Sequence, residues 1–226
     1  MSEADIQQEI IRVCRILEGK GLVEGFGHVS VRLNAETMLI TPARGLRLVE
    51  AADLLVFDLS GQIKTGRLET APLERWLHLA IYQTRPDLQA ICRTHSPMAA
   101  ALGVANQPLR PAHGFGAMLG AEVRVHPDND LITDLTMGQN VATSLGAQAG
   151  LLLRGNGSLA CGASLPEACV RAIYLEEAAW LQVTAAKIGG AVPFTLAEMK
   201  ARARWHAVEL ERAWEYYSTK FAGEKV

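Results

Sequence analysis

The 226-residue chain has no apolar run near the length a membrane span needs, roughly 18 residues. That excludes a membrane-spanning helix and leaves no reason to expect a membrane partner. It has no basic excess: 22 Lys and Arg face 24 Asp and Glu, for a net charge of −2. A general nucleic-acid binder normally carries such an excess, so no nucleic-acid partner is expected. The opening MSEADIQQEI has neither the basic stretch nor the apolar stretch of an export signal. Cysteines are few (Cys14, Cys92, Cys161 and Cys169) and form no C-x-x-C pair. Without an export signal they read as reduced core thiols of a cytoplasmic protein. A G-x-G-x-x-G fingerprint is also missing. Gly25-Phe-Gly27 continues into His28 and not into a helix, which excludes the dinucleotide reading.

What the chain does have is apolar bulk, 49% against 20% charged residues, so wholesale disorder is excluded. The length suits one domain covering residues 1–226. The only plausible linker, Gly189–Pro193, is too short to divide it. Ile6, Ile10, Val13 and Leu17 predict a helix over 2–20, capped by Ser2. Strands are predicted at His28–Leu33, Met38–Ile40, Leu54–Asp58, Leu88–His95, Ala121–His126, Leu151–Arg154 and Leu159–Cys161. Helices are predicted at Pro72–Gln83, Pro97–Leu102, Met137–Ala149 and from the Ser164-Leu-Pro-Glu167 capping box to about Lys187. Thr195–Phe221 reads as one last amphipathic helix. Its Trp205, Trp214, Tyr216 and Tyr217 suggest an oligomer interface over about 195–221. Alternating helices and short strands predict an α/β fold with a central sheet.

Several polar groups interrupt this apolar pattern. Glu74 and His78 lie four apart on a predicted helix among Leu73, Trp76, Leu77 and Leu79, and a buried carboxylate needs a partner. Arg93 and His95 share a strand face where the run Leu88–Cys92 stops, and open α/β sheets bind ligands beyond such strand ends. Gly155-Asn156-Gly157 reads locally as a hairpin turn, with close ligand approach as the other option. His28, Ser30, Thr41 and Arg44 sit at predicted strand ends. Arg44 and Arg93 can each grip a carboxylate or phosphate with two N–H groups. His113, in a glycine-flanked loop, is a metal-ligand candidate, and a loop His with a Glu suits Zn, Mn or Fe.

In order, the stretches G-H-V-S-V-R (27–32), L-I-T-P (39–42), E-R-W-L-H-L-A-I-Y-Q-T-R-P-D (74–87), A-I-C-R-T-H-S (90–96) and L-L-L-R-G-N-G-S-L-A-C-G (151–162) resemble the class II aldolase/adducin superfamily. The resemblance implies a three-layer αβα domain around a mixed sheet. It also implies a homotetramer with sites between subunits and a divalent metal ion. Glu74 matches the family's proton-moving glutamate, and His95 its second metal histidine. Arg93 and Asn156 stand where the other two metal histidines belong. Pro72 and Leu73 replace two phosphate-binding hydroxyl residues, His28 replaces a phosphate-loop asparagine, and Gly114 a tyrosine lent between subunits. R-T-H-S-P and R-G-N-G look more like the superfamily's aromatic and pyridine dicarboxylate decarboxylases than its sugar aldolases. The implied function is a metal-dependent carbon–carbon lyase, a decarboxylase of a hydroxylated aromatic or heteroaromatic carboxylate. Aldol cleavage of an unphosphorylated hydroxy-keto acid or sugar, and a non-catalytic adducin-like role, are the competing readings. The expected ligand set is His95, Glu74 and His113. Glu74, Arg93 and His28 are expected to act in catalysis, and Arg44, Ser30, Thr41 and Asn156 to bind a small carboxylate substrate. Arg93 has no lone pair for a metal, so it either neutralises Glu74 or reads that substrate.

Overall fold

A computed structural model describes residues 2–221, so the extreme ends of the expected 1–226 domain lie outside the described residues. Eight strands form one sheet: β1 (His28–Arg32), β2 (Thr37–Ile40), β3 (Leu55–Asp58), β4 (Ile63–Thr65), β5 (Ala90–Thr94), β6 (Arg124–His126), β7 (Gly150–Leu153) and β8 (Ser158–Gly162). Their order is β4-β3-β2-β1-β5-β8-β7-β6. All neighbours are antiparallel except β6 and β7, so the sheet is mixed as expected. The helices are α1 (Glu3–Gly19), α2 (Arg75–Thr84), α3 (Pro97–Val104), α4 (Leu135–Leu145), α5 (Leu165–Ala186), α6 (Leu196–Ala203) and α7 (His206–Lys220).

Strand alternation sorts side chains onto two helical layers. Val29, Val31, Ala90 and Cys92 pack with Ile10, Val13 and Leu17 of α1 and Cys169 and Ile173 of α5. Met38, Ile40, Ile91, Leu159 and Cys161 point the other way, against Leu77 and Ile81 of α2 and Val141 and Leu145 of α4. This is the three-layer αβα arrangement. None of the helices in the described residues is long and apolar enough to cross a membrane. The four cysteines are free and buried, as read from the sequence.

Three helices differ from expectation: α4 runs Leu135–Leu145 and ends before Ala149, because Gly146 takes a positive φ of 53°. Helix α2 starts at Arg75, not Pro72, because Glu74 leaves the helical region (φ −78°, ψ 14°) as its side chain turns toward Arg93 and Asn156. The last helix is two. A tight bond from the Trp205 N–H to the Arg202 carbonyl separates α6 from α7. The two pieces dock on different surfaces, α6 on the turn at Phe115–Leu119 and α7 mainly on α1 and α5. Of the four late aromatics, Trp214 and Tyr217 pack on the α1/α5 core, whereas Trp205 and Tyr216 are exposed. Strand β4 is not legible in the sequence, because three residues carry too little alternation.

Helix α2 brings His78 and Tyr82 into contact with Ser30 of β1, and α4 holds it in place. At Gly138 of α4 an added Cβ would overlap the Trp76 carbonyl oxygen, so the two helices meet there backbone to backbone. Gly138→Ala must push them apart. It is expected to lower unfolding free energy by about 1–3 kcal/mol, the usual cost of overpacking, read by urea denaturation. An unchanged midpoint would mean that the contact is slack.

Candidate functional site

The β1–β5 register sets His28 directly opposite Arg93. Both face the α2 layer, one at the start of β1 and one near the end of β5. Glu74, at the N-terminal end of α2, comes down onto this pair. The Arg93 Nη2 donates to Glu74 Oε2 at 3.0 Å, and Nη1 donates to the Thr94 carbonyl at 2.7 Å. The β7–β8 turn closes the other side, where Asn156 Nδ2 donates to Glu74 Oε1 at 3.0 Å. Gly157 makes that approach possible. Its φ is +75°, and a Cβ there would collide with the Thr94 carbonyl. Asn156 is therefore both a hairpin residue and a site residue.

A cavity of about 480 Å³ opens above Glu74, walled by Gly25, Phe26, Gly27, His28, Ala43, Arg44, Pro72, Leu73, Leu131, His95 and Asn156. Phe26, Leu73 and Leu131 form an exposed apolar rim. Arg44 is half-exposed at the mouth and paired with Asp53 at 2.9 Å. Four expectations change. Arg93 is fully buried beneath the cavity with two of its nitrogens committed, so it neutralises Glu74 and is not placed to hold a substrate carboxylate. Ser30 is fully buried, bonded to His78 and Tyr82. Thr41 is also buried, its Oγ1 accepting the Val29 N–H at 3.0 Å. His113 does not line the cavity; it packs edge-on to Phe115 and near Arg202. Reading strand ends as pocket walls failed for Ser30 and Thr41 because alternation and backbone bonding turn them inward.

Behind His28 runs a buried polar chain that motif reading reached only in part. His28 Nδ1 lies 2.6 Å from His78 Nε2, His78 Nδ1 lies 2.7 Å from Ser30 Oγ, and Ser30 Oγ lies 2.9 Å from the Tyr82 hydroxyl. The available signal was a polar stripe at 74, 78 and 82, one turn apart on an otherwise apolar helix.

Burial pushes the Glu74 carboxyl up, but the nearby His28 ring, the Arg93 charge and the Ile132 backbone N–H outweigh this and bring it down to about 2. His28 Nε2 is 3.7 Å from Glu74 Oε2, longer than a hydrogen bond, so at neutral pH the anion rests on Arg93 and Asn156. His28 is driven down by burial and by Arg93, against the pull of Glu74, and His78 well down by burial, His28 and Arg93. His95 keeps an exposed edge, yet burial of the rest of its ring and the Arg93 charge bring it to about 4. All three imidazoles are neutral at pH 7.

Residues 8–183 match the class II aldolase and adducin N-terminal domain. The chain belongs to that family, whose enzymes are carbon–carbon lyases, decarboxylases and aldolases among them. It is 31% identical over 206 residues to a 3,4-dihydroxyphthalate decarboxylase of Arthrobacter keyseri, covering 85% of this chain and 83% of that one. It is 30% identical to an L-fuculose phosphate aldolase of Escherichia coli O6:H1, covering 85% and 89%. A solved L-fuculose 1-phosphate aldolase superposes with a TM-score of 0.82 at 28% identity, over 90% of this chain and 97% of that one.

The depressed Glu74 pKa has a stability consequence. A carboxyl whose folded pKa lies near 2, below its ordinary 4.5, stabilises the fold above pH 4.5. That contribution falls away as pH drops toward 2. Glu74→Gln should flatten the pH dependence of unfolding free energy between about pH 4.5 and 2 relative to the parent. Identical slopes in that window would show that Arg93 and the groups around it do not hold Glu74 as an anion.

Proposed function

We propose that this lyase decarboxylates a hydroxylated aromatic or heteroaromatic carboxylate. The observation that carries the reading is the cavity wall. Where a sugar-phosphate site needs hydroxyl groups, Pro72 and Leu73 join Phe26 and Leu131 in an apolar slot suited to a flat ring, with Arg44 at its mouth. The similarity to 3,4-dihydroxyphthalate decarboxylases supports it.

The family typically uses a divalent metal ion. Here the donors do not fit one. His28, Glu74 and His95 all face the cavity, yet no group of three or more His, Cys, Asp or Glu among the described residues is placed to hold a metal. Both Glu74 oxygens accept N–H donors, and a guanidinium, which has no lone pair to give, stands 3.0 Å away. The chain's own side chains can carry each step.

The apolar rim flanks the ring, and Arg44 holds a carboxylate that is retained. Ionised Glu74 takes the proton of the hydroxyl adjacent to the leaving carboxylate and passes it to the ring carbon bearing that carboxylate. The low Glu74 pKa makes the first transfer uphill and the second downhill, so the carboxyl holds the proton only in passing. The ring is now a ketone. The bond to the carboxylate breaks, CO₂ leaves, and the electron pair returns through the ring to the ketone oxygen. Water then protonates that oxygen, one proton is consumed, and Glu74 is again the anion.

An acid panel with CO₂ and arene detection tests this. Release of CO₂ from ortho-hydroxy aromatic diacids is expected; aldehyde release from hydroxy-keto acids, with no CO₂, would overturn it in favour of aldol cleavage. Arg44→Ala should raise KM by about 1.5–3 kcal/mol in binding terms with little change in kcat, the loss of a charged contact made equally throughout. The proposal includes a cytoplasmic homotetramer, supported by exposed Trp180, Ile188, Val192, Leu196, Trp205 and Tyr216 clustering late in the chain. Light scattering should give four times the 24.4 kDa chain mass, and a monomer would remove this part.

A further inference from the structure

We propose that the Nε2–H of His28 is the hydrogen-bond donor to the oxyanion formed in this reaction, and that His78, Ser30 and Tyr82 are positioning residues that fix His28 in the tautomer able to donate. The proposal rests on the decarboxylase reading for the identity of the oxyanion, but the tautomer it requires is a property of the free protein.

Hydrogen counting restricts the network. Neutral His28 and His78 each carry one N–H, and the Ser30 and Tyr82 hydroxyls one O–H each. The chain of contacts at 2.6, 2.7 and 2.9 Å can run wholly one way or wholly the other; a third arrangement, with Ser30 accepting from both His78 and Tyr82, leaves the buried Ser30 O–H without a partner in the chain. In one, every hydrogen points away from the cavity. Tyr82 then donates to the Gln89 carbonyl, at a long 3.4 Å, and that oxygen already accepts the Arg32 N–H at 2.8 Å. This sense also aims the His28 Nε2 lone pair at the Glu74 anion. In the other, Tyr82 donates to Ser30, Ser30 to His78 Nδ1, and His78 Nε2–H to His28 Nδ1. His28 then presents Nε2–H toward a carboxylate. The second sense does without the long Tyr82 contact and turns the His28 Nε2–H, 3.7 Å from Glu74 Oε2, toward the anion and the cavity, where a substrate can accept it. Inside a core where an unmatched polar group costs the full desolvation penalty, this difference selects the tautomer.

The 3.7 Å between His28 Nε2 and Glu74 Oε2 is too long for a direct bond, and both groups border the cavity. A substrate hydroxyl set between them meets a base on one side and an N–H donor on the other. As Glu74 removes the proton, negative charge grows on that oxygen, and the His28 N–H strengthens its bond to it. The N–H stays on nitrogen throughout; no proton leaves His28. When the C–C bond breaks, the electron pair returns to the same oxygen and meets the same donor. A fixed donor in a water-poor site is the usual means of stabilising such charge. It supplies here the electrostatic help that the donor set cannot obtain from a metal ion.

Histidine-¹⁵N-labelled, ligand-free protein tests the tautomer by NMR, with the His28 signals assigned through His28→Asn. The Nε2–H form is expected for His28, and a dominant Nδ1–H form overturns the proposal whatever the substrate proves to be. Kinetics test the role. On an acid that the wild type decarboxylates, His28→Phe should lower kcat by about 10²–10³-fold, as loss of an oxyanion donor does. His78→Leu should lower kcat roughly 10- to 100-fold with KM nearly unchanged, as loss of a histidine's outer partner does. His78→Gln, whose amide N–H can still reach His28 Nδ1, should recover most of that loss. If His78→Leu folds and keeps wild-type kcat, or His78→Gln is as impaired as His78→Leu, the chain does not position His28. If no acid releases CO₂, the functional reading fails and the NMR result still decides the tautomer.

Discussion

The site depends on one constraint: a guanidinium is buried in the sheet and must be neutralised there. Arg93 is fully buried on β5, its Nη2 3.0 Å from Glu74. Removing one partner of such a pair costs about 3–5 kcal/mol, because the survivor is left as an unpaired buried charge. The surroundings answer that need. Glu74 leaves the helix to reach the guanidinium, so α2 begins at Arg75. The Thr94 carbonyl takes a second N–H group, and Asn156 satisfies the other carboxylate oxygen. The pair is then electrically closed. Glu74 stays ionised without drawing a cation from solution, and the imidazoles beside it stay neutral.

Topology makes the arrangement possible. Antiparallel β1 and β5 place the beginning of one strand beside the end of the other, so His28 and Arg93 become cross-strand neighbours from distant parts of the sequence. The β5–β8 pairing brings the β7–β8 turn to the same edge. Period-two alternation sends His28, Ser30 and Arg93 to the α2 layer, and their neighbours Val29 and Cys92 to the apolar α1/α5 layer. The polar face is tolerated because Glu74, just before α2, and His78 and Tyr82 on it answer at every fourth residue.

That division explains what could be read from sequence. Helices with long apolar periodicity, such as α1 and α5, and strands such as β5 and β7 were legible because their patterns are local. Glu74, His28, Arg44, His95 and Asn156 were legible as cavity residues because they interrupt apolar runs at turns and strand ends. The direction of a buried side chain was not. Ser30 and Thr41 look like ligand-binding hydroxyls, but their partners, His78 and the Val29 amide, belong to the fold's own hydrogen-bond network. Arg93 offered two options in sequence, and only its depth distinguishes them. The break between α6 and α7 has no glycine or proline to mark it; it arises from two docking surfaces that no local pattern reveals.

On the proposed reading, the closed charge pair also bears on why the site would favour loss of CO₂. Arg93, beneath the cavity, is committed to Glu74, whereas Arg44, half-exposed and paired with Asp53, lines the mouth. In the proposed reaction, an aromatic diacid entering ring-first into the slot of Phe26, Pro72, Leu73 and Leu131 would leave one carboxylate with Arg44 and carry the other toward Glu74. There it meets little water and a neighbouring anion. A carboxylate in such surroundings is poorly stabilised, whereas the departing CO₂ is neutral and loses nothing by leaving water. Charge moves during the step from that carboxylate to the ring oxygen, where an imidazole N–H can meet it. Aldol cleavage of a sugar phosphate asks the opposite of the same space, a polar floor that holds a phosphate through hydroxyl and amide donors. Pro72 and Leu73 remove that floor, and the resulting gradient, poor solvation for the leaving group and a donor for the product oxyanion, runs in the direction decarboxylation requires.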